Sequence, residues 1–200
     1  MVPLLSTMLE KSERAQLLEL ARRSIASGLG RASPERMPQS AWPSRLLEPR
    51  ATFTTLTLAG TLRGCCGTIE ARRALVDDVW HNAWTSAFAD PRFWPVAAAE
   101  LAALEISISV LTPLERIAAS SEAELIAALQ PGVDGVVISC DDARATFLPE
   151  VWQSLPEPGE FVAHLKRKAG LAGARLPSRT RAFRYRTESF RSRHEVERAA

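Results

Sequence analysis

Two β-prone runs separated by a two-residue turn constrain this chain more than any other feature. "ATFTTLTL" (51–58) is rich in threonine, Ala59-Gly60 suits a tight turn, and "TLRGCCGTI" (61–69) is the return strand of a hairpin. The next segment, "ALVDDVWHNAWTSAFAD" (74–90), sets Val76, Val79, Trp80, Ala83, Trp84, Ala87 and Phe88 along one broad helical stripe, and Pro91 ends it. That stripe is expected to be core. A second hairpin is expected where "GVVIS" and "ATFLP" flank "CDDAR". Hairpins mixed with helices, without βαβ regularity, predict an α+β fold.

The other segments fit that class. Ser12 is the expected cap of a helix through "ERAQLLELARRSIASGLG", with apolar spacing at Leu17, Leu20, Ala21 and Ile25 and an end at Gly28 and Gly30. Four prolines within 31–50 predict an irregular connection. "LEISISVL" (104–111) alternates like a half-buried strand, and Ser121 with Glu124 makes a capping-box signature. "GEFVAHLKRKAGL" reads as a helix stopped near Gly170, and "RAFRYRTESF" (181–190) as one late strand. At 200 residues and 46% hydrophobic, the chain can bury one core or two small ones.

Composition narrows the setting. The start lacks the pattern of a signal peptide, and no run approaches the roughly 18–20 apolar residues that span a bilayer. Three cysteines, two of them adjacent, fit a reducing compartment, and a cytoplasmic location with no membrane partner is expected. The net charge of +2 hides an asymmetry, because residues 161–200 sum to +8 and the remainder to −6. Such a basic end attracts phosphate or an acidic partner, although spread-out arginines are more often a solvated face.

The adjacent thiols are separated by the pleat of an extended strand. Arg63, Cys65, Gly67 and Ile69 fall on one face, and Leu62, Gly64, Cys66 and Thr68 on the other. Neighbouring Cα atoms lie about 3.8 Å apart, short of the roughly 4.4–6.8 Å of ordinary disulfides. Zinc sites favour cysteine pairs two to four residues apart, and Cys140, His81, His164 and His194 add no recognisable spacing, so no metal is expected. Cys65 remains as a single thiol with Arg63 expected on its face, and a nearby cation raises the thiolate fraction of a cysteine. Gly64 and Gly67 clear room beside it for a ligand or another backbone. A small buried core residue is the competing reading of either cysteine. Asp90, before a proline at a helix end, reads as a turn with a local carboxylate–amide bond, and Arg92 is a candidate ligand contact. In "PGVDG" the glycines and Asp134 read as turn chemistry, and His81 and His164 read as exposed surface.

"LRGCCGTIE" resembles the signature of the AMMECR-type domain family, usually Leu-Arg-Gly-Cys, an apolar residue, then Gly. The family's motif order continues through "NAWTSAFADPRF" (82–93), "LEISISVLTP" (104–113), "PGVDGVVI" (131–138), "FLPEVW" (147–152) and "EFVAHLKRKAGL" (160–171). The resemblance covers about residues 10–190 and leaves 191–200 as a basic tail. It implies two unequal lobes, each with a mainly antiparallel sheet packed by helices. The larger lobe is expected to hold both termini, with the signature strand near a cleft between the lobes. Arg63, Gly64, Cys65 and Gly67 match the signature, whereas Cys66 stands where an aliphatic residue is usual. Ala97, Ala145 and the stretch 171–180 depart from the pattern. Members known as AmmeMemoRadiSam system protein A co-occur with a MEMO-type protein and a radical SAM enzyme, which makes those the expected partners.

Three functions are compatible with these residues. In one, Cys65 is a nucleophile or covalent carrier and Arg63 binds an anionic group, with Gly64, Gly67 and Arg92 completing the ligand site and no cofactor implied. In another, the protein is a non-catalytic adaptor that receives a small molecule or peptide of a MEMO-type or radical SAM partner. Nucleic-acid binding through the basic end ranks last, because neither stacking aromatics nor a recognised motif accompanies it.

Overall fold

The computed structural model describes residues 8–30, 39–171, 173, 176 and 179–192. The fold is α+β, and its described strands pair into two four-stranded sheets. Five strand pairs across the two sheets run antiparallel. The chain divides into two compact units, one built from residues up to Val110 and from Glu188 onward, the other from Leu111–Thr187.

The larger unit contains helices α1 (Lys11–Leu29) and α2 (Leu75–Phe88) with strands β1 (Thr52–Leu58), β2 (Thr61–Gly67), β3 (Leu104–Leu111) and β8 (Thr187–Arg191). The sheet order is β2-β1-β3-β8, so the signature strand β2 is an edge. Ala59 and Gly60 both take positive φ, at 50° and 77°. That is the twist a two-residue hairpin needs. On β1, Thr52, Thr54 and Leu56 are buried while Phe53, Thr55 and Thr57 are half-exposed. The core joins Leu17 and Ile25 of α1, Val79 and Ala83 of α2, and Leu56, Ile106 and Ile108 of the sheet.

The smaller unit is inserted in sequence between β3 and β8. It contains β4 (Glu115–Ile117), α3 (Glu122–Ala128), β5 (Gly135–Cys140), β6 (Ala143–Phe147), α4 (Pro158–Lys168) and β7 (Arg181–Tyr185), with sheet order β4-β7-β5-β6. Its core includes Leu125, Ile138, Phe161 and Leu165, and Trp152 stacks on Phe161 with ring centroids 3.8 Å apart.

Several expectations are corrected. The late strand 181–190 is two strands in different sheets, divided at Arg186, just before the chain passes from the smaller unit to the larger between Thr187 and Glu188. The cap of α1 is Glu10 rather than Ser12: the Glu10 N–H donates to Glu13 Oε2 at 2.7 Å, so the helix starts two residues earlier than expected. Strand β4 was not anticipated, being only three residues long. Trp84, expected in the core, is 41% exposed, and Trp80 and Phe88 are half-buried. Residues 31–38 of the proline-rich connection and 193–200 of the basic tail, including His194, lie outside the described residues. Among the described residues no helix is long and apolar enough to cross a membrane.

Candidate functional site

An edge strand leaves one row of backbone groups without a neighbouring strand. A polar stripe on helix α2, continued by Asp90, partners two N–H groups of β2, those of Cys65 and Cys66, and also groups of Thr52 and Thr54 on the adjoining β1. Asp78, Asn82 and Ser86 are four residues apart and therefore share a helix face, and Asp90 follows just past the helix end. All four are buried. Asp78 Oδ2 accepts from the Thr52 N–H (2.9 Å), the Thr52 hydroxyl (2.8 Å) and the Thr68 hydroxyl (2.7 Å). Asn82 Nδ2 donates to the Thr52 carbonyl and to Asp78, both at 2.9 Å. Ser86 Oγ donates to the Thr54 carbonyl and accepts the Cys66 N–H, both at 2.8 Å. Asp90 Oδ2 accepts the Cys65 N–H at 2.9 Å. The hairpin is thus tied to α2 residue by residue.

The two cysteines face opposite ways, as the pleat predicted. Gly64 and Cys66 lie on the α2 side: a Cβ at Gly64 would sit 2.1 Å from the Ser86 carbonyl oxygen, so only glycine fits there. Cys65 lies on the other side, directly across from Thr55, whose hydroxyl donates to Sγ at 3.3 Å. The Phe53 ring crosses Gly67 on that side, 2.3 Å from where a Cβ would stand. Both glycines therefore admit parts of the protein itself, a helix backbone and an aromatic ring.

Arg63 departs from the expected alternation. The β1–β2 register pairs Leu56 with Gly64 and Thr57 with Leu62, leaving Arg63 as the extra residue of a β-bulge. Its guanidinium binds Glu100 twice, through Nε (2.7 Å) and Nη2 (3.0 Å), and also donates to the carbonyls of Trp94 (2.7 Å) and Pro95 (3.2 Å). Four of its five N–H donors are so engaged, and the ion pair holds the Glu100 carboxyl below its ordinary pKa. The segment after α2 is thereby fastened to the edge strand, with the Trp94 side chain 88% exposed beside it.

Arg92 is the cation that reaches Cys65. Its Nη2 donates to the Cys65 carbonyl at 3.1 Å, and Nε and Nη2 bind Asp90 at 2.9 and 2.7 Å. The expected local bond from the Arg92 N–H to Asp90 is present at 3.1 Å. The Asp90 side chain is 2% exposed and that of Arg92 55%. Nη1 of Arg92 makes no hydrogen bond among the described residues. The Arg92 guanidinium holds the Asp90 carboxyl far below the usual carboxylate range against the opposing effect of burial, with the Cys65 N–H assisting. Burial, then the Asp90 charge, push the Cys66 thiol up. Of the expected site, the structure brings Arg92 to Cys65, sets Gly64 against α2 and Gly67 against the Phe53 ring, and turns Arg63 toward Glu100.

The sequence reading missed Asp78, Asn82, Ser86 and Glu100. The i, i+4, i+8, i+12 spacing of Asp78, Asn82, Ser86 and Asp90 was the available signal for the stripe. His81 and His164 are exposed, as expected, and Asp134 accepts the Gln130 N–H at 2.9 Å within its turn. All three cysteines are free thiols. Among the described residues no group of three or more His, Cys, Asp or Glu is arranged to hold a metal ion.

The AMMECR1 family profile matches residues 18–190, which spans both units and every motif above. The chain belongs to the AMMECR1 family. This AMMECR1 chain is 33% identical over 186 residues to a protein of Methanothermobacter thermautotrophicus, covering 91% of this chain and 95% of that one. A Methanosarcina barkeri protein is 34% identical over 173 residues, 82% of each. Among solved structures, that of the uncharacterized protein PH0010 from Pyrococcus horikoshii superposes with a TM-score of 0.78 at 30% identity, covering 88% of this chain and 90% of that one.

Proposed function

We propose that this AMMECR1 protein is an enzyme or enzyme component in which the Cys65 thiol is a nucleophile or covalent carrier and Arg92 holds an anionic group of the ligand. The observation that carries this reading is a half-exposed guanidinium bound to the backbone carbonyl of the residue that carries a half-buried thiol. Cys65 is clamped at its N–H by Asp90 and at its carbonyl by Arg92. Arg92 keeps one arm unengaged, a donor available to a carboxylate or phosphate. The Thr55 hydroxyl supports the sulfur, since hydrogen bonds strengthen when the acceptor carries charge. Arg63 becomes a positioning residue that holds 94–100 against the strand.

Limited alkylation with iodoacetamide, read by peptide mass spectrometry on the folded protein, tests the site. Cys65 is expected to label ahead of Cys66, and Arg92→Gln to reduce labelling by anionic iodoacetate more than by neutral iodoacetamide. A Cys65 that stays unlabelled until the protein unfolds would sink the reading.

The adaptor reading draws on Trp94, fully presented to solvent beside the edge strand. It expects Trp94→Ala to abolish co-purification with a MEMO-type or radical SAM partner while Cys65→Ser leaves it intact.

A further inference from the structure

The smaller unit carries a second concentration of positive charge, on the sheet face opposite its core. Ile117, Ile138 and Ala182 belong to that core. The β5–β7 register sets Ser139 across from Arg181, and the β4–β7 register sets Arg116 across from Phe183, two residues along β7. Period-two alternation therefore puts Arg116, Ser139 and Arg181 on one face. They line a cavity of about 430 Å³ together with Asp141, Arg179 and Thr180.

The partners of these groups are unequally distributed. Arg179 is paired with Asp141 at 3.3 Å, both exposed. Arg116, Arg181 and the Ser139 hydroxyl have no hydrogen bond or ion pair among the described residues. Thr180 Oγ1 is buried and has no partner at all, one of two such side-chain atoms among the described residues. A buried hydroxyl left unmatched is costly. Two unpaired guanidiniums on one face also repel each other.

We propose that this cavity binds a small organic phosphate monoester, its phosphoryl group between Arg116 and Arg181 and accepting from the Ser139 and Thr180 hydroxyls. A guanidinium matches phosphate oxygens through paired N–H donors. Two uncompensated guanidiniums match a dianion, whereas a carboxylate needs one. The volume falls in the range of small-molecule sites, roughly 300–1,000 Å³, and leaves room for the organic part. Asp141 opposes the anion and spares the site from becoming a general polyanion surface. It shares no residue with the Cys65 site.

Isothermal titration at fixed ionic strength tests this on the full chain, with adenosine 5′-monophosphate, inorganic phosphate and adenosine as probes. The monophosphate is expected to bind, inorganic phosphate more weakly, and adenosine not at all. Arg116→Gln and Arg181→Gln should each weaken monophosphate binding about tenfold or more, the loss of one charge-assisted pair. Thr180→Val should weaken it several-fold, and Asp141→Asn should tighten it. Arg72→Gln, exposed on the other unit, should leave it unchanged. Inorganic phosphate binding as tightly as the monophosphate would make the ligand free phosphate and overturn the monoester assignment. No saturable binding by either phosphate probe, or equal weakening by Arg72→Gln, overturns the site.

Discussion

Asp90 is the residue on which the candidate site turns. One buried carboxylate fixes the Cys65 N–H, the Arg92 N–H and the Arg92 guanidinium. Asp90→Asn should cost about 2–3 kcal/mol in urea denaturation at neutral pH, because it removes a charge-assisted network and leaves an amide facing a backbone donor. Its pKa is depressed in the fold, so its contribution is complete above an unfolded carboxylate value of about 4 and declines as pH falls below it. The acid limb of the stability curve should therefore be shallower in Asp90→Asn than in the wild type. Gly64→Ala tests a different contact. A methyl group 2.1 Å from the Ser86 carbonyl has no room without moving the helix, so a loss of about 3 kcal/mol is expected. Circular dichroism melts would show it, and an unchanged melting temperature would mean that α2 can retreat. Gly64 was picked out in the sequence for standing beside a thiol. Its reason, a helix backbone against the strand, needs two elements distant in sequence and was not legible there.

At the scale of elements, α2 carries two stripes with the same helical period. The apolar stripe read from the sequence is buried at Val76, Val79, Ala83 and Ala87. It fails at Trp84, because the neighbouring polar stripe of Asp78, Asn82 and Ser86 turns that side of the helix toward the hairpin. Buried backbone groups need hydrogen-bond partners, and the β1–β2 hairpin makes that demand at Thr52, Thr54, Cys65 and Cys66 where hydropathy alone predicts an apolar contact. Asn82→Ala should consequently cost about 3 kcal/mol, since it strips partners from Thr52 and Asp78. Trp84→Ala should cost about 1 kcal/mol, the share of a half-exposed ring resting on Phe88. Chemical denaturation of the two variants side by side checks the order. The reverse order would place the helix the other way round. Hairpins, by contrast, were legible: Ala59-Gly60 and Asp141 are local turn chemistry that no tertiary contact has to supply.

At the scale of the molecule, two cores imply two sets of stabilities. Trp152 is the only tryptophan of the smaller unit, and it stacks on Phe161. Phe161→Ala should remove about 3–5 kcal/mol from that core. Hydrogen exchange should then show β5, β6 and α4 losing protection while α1 and α2 keep most of theirs. Equal loss across both units would mean that they unfold as one. The chain reaches this arrangement by inserting the smaller unit between β3 and β8, which is why the alternating run 181–190 serves two sheets. Period-two patterning carries straight through Arg186 and says nothing about which sheet each half joins.

The sequence by itself determined the α+β class, the hairpins and most helix bounds, the opposite facing of Cys65 and Cys66, and the family. Each of these is set by local periodicity, turn chemistry or motif order. Only the tertiary structure decided which arginine meets Cys65. A one-residue bulge turns Arg63 to Glu100, and the loop after α2 carries Arg92 back to the strand. The same holds for the polar stripe and the arginine-lined cavity, because hydrogen bonds and charges are matched between elements that only folding brings together.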